Sequence, residues 1–148
     1  MIEFAVRRRI SASPERVLAT ILDLDRAPEW VPNLVRIERL TDGPVEVGSR
    51  WREVRRLSGA DGTEVFEVTG LDRNRSVELV VDGKQGSSRR GQYRFHYVAD
   101  RRDRETLLLV AVEIEGLGIG ARLYRRKLER SIANDLEALK RNVEHRAP

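Results

Sequence analysis

The sequence lacks cysteine, any long apolar run and a large excess of charge of one sign. Without cysteine, the fold contains neither a disulfide nor a thiolate metal site. The longest apolar run, Leu107–Val112, is far shorter than the roughly 20 residues that cross a bilayer, so we expect no membrane insertion. The N-terminal residues carry an acid early and lack a basic leader, so we expect a cytoplasmic protein.

The net charge of +4 is small for a chain with 28 basic residues. Proteins that track phosphates present their cations on one face, whereas the short basic groups here are distributed over separate segments. This distribution favours solvated surface over a nucleic-acid groove, and we expect no nucleic-acid partner. The groups are Arg7–Arg9, Arg55–Arg56, Arg89–Arg90, Arg101–Arg102 and Arg125–Lys127.

The length of 148 residues is typical of one domain, and a domain of this size can bury roughly 70% of its unfolded surface. We find no internal repeat, linker or low-complexity segment along the chain. The sequence therefore predicts a single domain over residues 1–148.

The first part of the chain predicts one strand and two short helices. Apolar and polar residues alternate from Ile2 to Ile10, which is typical of a strand with one buried face. Ser13 is suited to cap a helix that has Pro14 at its first position and ends near Asp25. Residues 28–32 can form only a short second helix, because the proline at its end cannot continue it.

From Leu34 to Ile114 the pattern changes to segments of about six to ten residues divided by turn-forming clusters. Parallel pairing would need crossover helices for which the chain has no room, so the pattern predicts an antiparallel meander. The glycine- and serine-rich segment Gly83–Gly91 is a candidate mobile loop. The predicted strands span residues 34–41, 48–57, 63–71, 75–81, 91–99 and 105–115.

The last part of the chain carries the strongest helical pattern. One face stays apolar for roughly five turns, and charged residues occupy the other faces. Such a helix should lie against the sheet, because the chain offers it no other apolar surface. The apolar stripe consists of Tyr124, Leu128, Ile132, Leu136, Leu139 and Val143.

The order of these elements, together with several short motifs, is typical of one known superfamily. The motifs are Ser13–Val17, Pro28–Pro32, Gly48–Trp51, Glu67–Thr69 and Tyr93–Phe95, followed by the terminal helix. In this order they resemble the Bet v 1-like, START-like superfamily (SRPBCC), specifically its bacterial polyketide cyclase/dehydrase and lipid-transport branch.

The resemblance implies an α+β helix-grip fold, in which a curved antiparallel sheet of about seven strands is wrapped around a long C-terminal helix. Two short helices follow the first strand, and a cavity lies between sheet and helix. The resemblance also implies binding or transport of a small hydrophobic molecule, lipid or polyketide-like. It supplies no shared catalytic residue, and fold analogy alone is a weak argument for a reaction.

The aromatic residues, Phe4 apart, fall on elements that would surround such a cavity. Alternation places Tyr93, Phe95 and Tyr97 on one side of their strand. Core filling and pocket lining both fit this pattern, and they differ in whether space remains between the rings. The candidate ligand-binding residues are Trp30, Trp51, Phe66, Tyr93, Phe95, Tyr97, Val112, Ile114, Tyr124, Leu128 and Ile132.

Charged residues share a strand face with one of these aromatics. The face that bears Trp51 also bears Glu53 and Arg55. If it points inward, desolvation would raise the pKa of Glu53 and make it a candidate acid or base, while Arg55 can bind an acidic head group. The alternative is that both remain in water near the rim. Together with Tyr97, whose hydroxyl can orient a ligand oxygen, they are the candidate catalytic residues.

The remaining residues that could carry chemistry give weaker indications of a site. His96 has the opposite parity to its aromatic neighbours and should face solvent, and His145 lies in the last turn of the terminal helix. Arg8 shares parity with the buried side of strand one, so either its charge points inward or it lies at a strand end or a bulge. The glycines of segment 116–120 lack the dinucleotide-binding spacing and are interpreted as a hinge. We expect neither a metal nor a cofactor.

Three functions therefore stay open: a carrier for a small apolar ligand, a cyclase- or dehydratase-type enzyme, and an interaction module without a small ligand. The last is suggested by residues 107–112, which are apolar on both strand faces although only one face of a gripping sheet meets the helix. The same feature makes a homodimer a reasonable hypothesis.

Overall fold

Seven strands form one antiparallel sheet in the computed structural model, which describes residues 1–57 and 59–146. The strands are β1 (Ile2–Ile10), β2 (Leu34–Arg39), β3 (Arg50–Leu57), β4 (Ala60–Asp72), β5 (Ser76–Asp82), β6 (Gln92–Arg102) and β7 (Glu105–Glu115). Their order in the sheet is β1-β7-β6-β5-β4-β3-β2, so every neighbour along the chain from β2 to β7 is also a neighbour in space. The predicted meander is confirmed.

Among the described residues, two α-helices accompany the sheet: α1 (Pro14–Leu22) after the first strand and α2 (Ala121–His145) after the last. The curved sheet packs one face against α2, so the predicted helix-grip fold is confirmed. No helix among the described residues is both long and apolar enough to cross a membrane.

The second short helix lies earlier than the sequence pattern predicts. It is a 3-10 helix over Leu24–Glu29 and not a helix over residues 28–32, and α1 ends at Leu22 instead of near Asp25. Asp23 explains both differences. Its backbone leaves the helical region (φ −84°, ψ 87°), and its side chain accepts a hydrogen bond from the backbone N–H of Arg26, which caps the new helix.

The C-terminal half of α2 is held firmly against β1 and α1. Its stripe of Ile132, Leu136, Leu139 and Val143 is buried. The ammonium of Lys140 donates to the backbone oxygen of Arg9 at 2.6 Å, and Glu144 accepts from the backbone N–H of Ser11 at 2.7 Å. At the helix end, the guanidinium of Arg16 donates to the carbonyls of Val143 and Arg146, which satisfies two groups that a helix C-terminus leaves free.

The N-terminal half of α2 is much less covered. It follows Gly116, Gly118 and Gly120, each of which has a positive φ between 75° and 88° that glycine adopts without strain. Leu123 is 76% exposed and Tyr124 37% exposed. The helix therefore packs tightly at one end only, and the space beneath its other end is where the cavity lies.

The structure shows where Arg8 of β1 and the outer face of β7 lie. Arg8 does lie on the inner side of β1, without any bulge in the β1–β7 register, and its guanidinium pairs with Glu137 on α2 at 2.6 Å. On the outer side of β7, Leu107 and Leu109 are half-buried, so the apolar outer face of this strand is partly covered.

Candidate functional site

The space between α2 and the inner face of the sheet is divided into two adjacent chambers. The inner chamber, of about 90 Å³, lies beneath the 3-10 helix and the middle of α2. The outer chamber, of about 360 Å³, opens between the β5–β6 loop and the N-terminal half of α2. The two chambers share the lining residues Glu53, Arg55, Phe66, Phe95, Ile132 and Asp135.

All the aromatic residues singled out in the sequence line these chambers, and so do Leu128 and Ile132. Trp30, Trp51 and Tyr97 line the inner chamber, and Tyr93, Tyr124 and Leu128 line the outer one. Phe66, Phe95 and Ile132 line both. Space therefore remains between the rings, as the pocket interpretation requires.

Val112 and Ile114 lie outside both chambers. Each is only 1% exposed and belongs to the hydrophobic core. Their strand lies next to β1, against which α2 is held, and their inward side chains belong to the packed core between sheet and helix. Whether an inward side chain lines a chamber or packs in the core depends on the position of its strand in the sheet, which alternation does not predict.

The aromatic rings form a continuous row across the sheet. Trp51 stacks on Phe66 with ring centroids 5.7 Å apart, and Phe66 meets Phe95 at 6.4 Å. Tyr93 lies 6.5 Å from Phe95 and meets Tyr124 of α2 edge-on at 6.3 Å, with the two hydroxyls 3.3 Å apart. This row gives the cavity an apolar side with rigid rings, which suits a flat or elongated apolar ligand.

A charged cluster lies where the two chambers meet. The guanidinium of Arg55 donates through Nε to Glu53 Oε2 at 3.2 Å and through Nη1 to Asp135 Oδ1 at 2.9 Å. The three side chains are only 13–20% exposed. The charged pair of β3 therefore enters the cavity and does not remain in water at its rim, and a residue of α2 joins it.

Burial and shared charge shift the titration of this cluster. Burial raises the pKa of Glu53 and of Asp135 above their ordinary values, although Arg55 acts in the opposite direction on both. Burial acts to lower the pKa of Arg55, but its two carboxylate partners outweigh burial and raise it. Burial, with Asp135 and Glu53 nearby, also raises the pKa of Tyr97. The cluster thus keeps its arginine charged and its carboxyl groups easier to protonate than in water.

A second polar group borders the outer chamber. The hydroxyl of Ser88 donates to Glu64 Oε1, and burial raises the pKa of Glu64. The loop that carries Ser88 approaches β4 closely: a Cβ at Gly86 would lie 2.3 Å from the backbone oxygen of Thr63, so glycine is needed there. This loop is held to β4 by a 2.7 Å bond from the Ser87 N–H to the Thr63 oxygen.

Sequence reasoning missed Asp135, although a signal was present. Asp135 lies three residues after Ile132 and four before Leu139, so it occupies a position that the apolar face of a helix should contain. Glu64 could likewise be found from its parity with Phe66 on β4. His96, by contrast, is exposed on the outer side of the sheet as predicted. Within the described residues, no group of His, Cys, Asp and Glu could hold a metal ion.

Comparison with known proteins gives one family. Residues 1–144 match the family described as polyketide cyclase/dehydrase and lipid transport. No curated protein matches the sequence significantly.

Solved structures share the fold at low sequence identity. An aromatase/cyclase from a Streptomyces species has a TM-score of 0.78 at 17% identity, covering 98% of this chain and 94% of that one. A START superfamily protein from Mycobacterium smegmatis has a TM-score of 0.76 at 19% identity, with 96% and 97% covered. Ara h 8.0201 has a TM-score of 0.77 at 13% identity, with 96% and 97% covered.

Proposed function

The chain belongs to the polyketide cyclase/dehydrase and lipid transport family, and from this premise we propose that it binds a small hydrophobic molecule. The ligand lies in the outer chamber, with its apolar part against the aromatic row and its polar group toward Arg55 and the two carboxylates. Binding or transport of that molecule requires only the chamber, the aromatic row and these polar groups.

The observation that carries this proposal is the outer chamber itself. Its volume of about 360 Å³ lies within the range of roughly 300–1,000 Å³ that small-molecule sites have. Its lining combines the rings of Phe66, Tyr93, Phe95 and Tyr124 with a few polar groups. Apolar surroundings with a few fixed polar groups are what such sites use for affinity and orientation.

A neutral fluorescent probe tests the proposal. N-phenyl-1-naphthylamine, whose emission rises in apolar surroundings, should bind the purified protein at one site per chain. Leu128→Trp should abolish binding, because Leu128 lines the outer chamber and the larger ring would fill it. Leu123→Trp on the exposed side of the same helix is the matched control and should bind as the unchanged protein does. Equal binding by both variants would refute the site.

The natural ligand can be sought directly. Native mass spectrometry of freshly purified protein should show a species heavier than the 17.0 kDa chain, and denaturing extraction should release the bound molecule. A lipid or a polyketide-like compound would support the proposal. Recovery of ligand from the Leu128→Trp variant in equal amount would count against the outer chamber.

A second candidate, an enzyme of cyclase or dehydratase type, is favoured by one specific observation. Glu53 and Asp135 are buried carboxyl groups with raised pKa values beside Tyr97, and such groups serve as general acids or bases. On a polyketide-like substrate with adjacent ketones, Glu53→Gln should abolish turnover while leaving the dissociation constant nearly unchanged. A carrier has no turnover to lose.

Association between copies of the chain is a further part of the proposal. The half-buried Leu107 and Leu109 on the outer side of β7 are the surface that a homodimer would use. Sedimentation at micromolar concentration tests it. A single species of 17.0 kDa would exclude the dimer, and a species of twice that mass that dissociates in Leu109→Arg would support it.

A further inference from the structure

The polar groups of the cavity are mostly acidic. Glu53 and Asp135 line both chambers, and Glu64 lines the outer one. Among the described residues that line either chamber, Arg55 is the only basic side chain. Within the two chambers, one cation therefore faces three carboxyl groups.

Arg55 is already engaged by the protein. A guanidinium binds a carboxylate best with two parallel N–H groups, either Nε with one Nη or the two Nη atoms together. Nε already donates to Glu53, and Nη1 already donates to Asp135. Each of the two bidentate arrangements thus has one member in use, so Arg55 is poorly placed to receive an acidic head group, the role that the sequence suggested for it.

The carboxylates, in contrast, keep capacity to accept. Glu53 bonds to Arg55 through Oε2 and Asp135 through Oδ1. Within the described residues, the other oxygen of each carboxylate has no hydrogen bond to a protein donor. A hydroxyl or amine can donate to these oxygens, whereas a ligand carboxylate would bring a like charge beside them in a poorly solvated space.

We propose that the cavity selects ligands whose polar group is a hydrogen-bond donor, a hydroxyl or an amine, and excludes ligands that end in a carboxylate. The inference rests on the proposed function, since it specifies the ligand of the same chamber. Free fatty acids and other apolar acids are then poor ligands, and phenols, alcohols and apolar amines are good ones.

A matched series of probes tests the selectivity. 2-Naphthol, protonated 2-naphthylmethylamine and 2-naphthoate share one ring system and differ in the polar group. Calorimetric titration at pH 7.5 should give a dissociation constant for 2-naphthoate at least about tenfold higher than for the other two, as expected when like charges are brought together at a binding site. Equal or tighter binding of 2-naphthoate would overturn the inference.

Two variants show whether the cluster causes the selectivity. Asp135→Asn removes one charge and loosens the hold on Arg55, so it should strengthen 2-naphthoate binding relative to 2-naphthol. Glu137→Gln is the matched control, because Glu137 lies on the same helix, pairs with Arg8 and lines neither chamber. Glu137→Gln should leave the ratio of the dissociation constants of 2-naphthoate and 2-naphthol unchanged. If Asp135→Asn does not fold, Glu53→Gln replaces it.

The outcomes separate the two proposals. Binding of all three probes without preference, or with preference for 2-naphthoate, overturns the inference and leaves small-molecule binding intact. Binding of none of the three, at concentrations where 2-naphthol is soluble, overturns both the binding function and its selectivity. A selectivity that Asp135→Asn and Glu137→Gln change equally would remove the cluster as its cause.

Discussion

At the scale of single residues, the cluster of Glu53, Arg55 and Asp135 is the most unusual feature of the molecule. Removing charges from water is costly, and well-packed apolar residues of similar size often stabilise a fold more than a buried ion pair does. β3 and β4 also place apolar rings in the cavity, since Trp51 and Phe66 stack there. Charges held at such a position are consistent with a role in the cavity's chemistry rather than in stability.

Raised carboxyl pKa values predict a particular dependence of stability on pH. The pKa values of Glu53 and Asp135 lie above their ordinary values of 4.5 and 3.8 in the folded protein. The folded state then binds more protons at these two groups than the unfolded chain does, so their contribution to the free energy of unfolding should fall as pH rises from about 4.5 towards neutrality.

Urea denaturation at a series of pH values measures this. Glu53→Gln should flatten the decline above pH 4.5, so that the variant gains stability relative to the unchanged protein as pH rises. A constant difference between Glu53→Gln and the unchanged protein at all pH values would show that Glu53 ionises normally.

Arg55 is predicted to matter more to stability than either carboxylate. Replacing it by methionine leaves two buried carboxylates without their cation, and loss of one partner of a buried ion pair costs roughly 3–5 kcal/mol. The loss in Arg55→Met should be greatest at neutral pH and smaller near pH 5, where the carboxyl groups can be protonated. Chemical denaturation checks both values.

The triple variant Arg55→Met, Glu53→Gln, Asp135→Asn separates charge from packing. If unpaired charge is the cause, the triple variant should recover most of the stability that Arg55→Met loses, because no buried charge is then left over. If the triple variant is as unstable as Arg55→Met, the packing of the arginine stem is the cause instead.

At the scale of secondary-structure elements, α2 is uneven along its length. Its C-terminal half has a buried stripe and polar bonds to Arg9, Ser11 and Arg16. Its N-terminal half starts after three glycines with positive φ, and Leu123 and Tyr124 are exposed. Regions with few buried apolar contacts open at lower free-energy cost than the core.

Hydrogen exchange should therefore divide α2 into two parts. Amides of residues 122–130 are expected to exchange faster than those of residues 134–143, with the change near Ile132, where the stripe becomes buried. N-phenyl-1-naphthylamine should slow exchange in the first part and leave the second unchanged. Uniform protection along the helix would contradict a cavity opening at its N-terminal end.

Local signals predicted most elements because they are strong in this sequence. Alternation identified β1, turn-forming clusters separated β2 to β7, and the stripe from Tyr124 to Val143 identified α2. The second short helix was misplaced because Asp23 can continue one helix or cap the next, and its backbone conformation depends on packing that a linear pattern does not contain. Asp135 was missed because the search for the stripe counted apolar residues only.

At the scale of the whole molecule, the sequence predicted the fold and the aromatic lining better than the cavity itself. Whether rings pack together or leave space depends on the angle and distance between α2 and the sheet, which no residue pattern specifies. Val112 and Ile114 illustrate this, since they share an inward face with lining residues of the sheet and yet belong to the packed core. A cavity depends on how the elements pack together, so it is found in the three-dimensional structure and not in the residue pattern.

A cavity in the assembled fold has a thermodynamic consequence for the whole molecule. A ligand that binds only the folded state stabilises it by about 2.7 kcal/mol at a hundred times its dissociation constant. For a domain of this size, that corresponds to a rise in the melting temperature of roughly 5–10 °C. N-phenyl-1-naphthylamine should produce this rise in the unchanged protein and in Leu123→Trp. Leu128→Trp should not respond to the probe, because its chamber is already filled and the protein's own side chain takes the place of the ligand. A rise of the same size in Leu128→Trp would mean that the probe binds elsewhere on the folded protein.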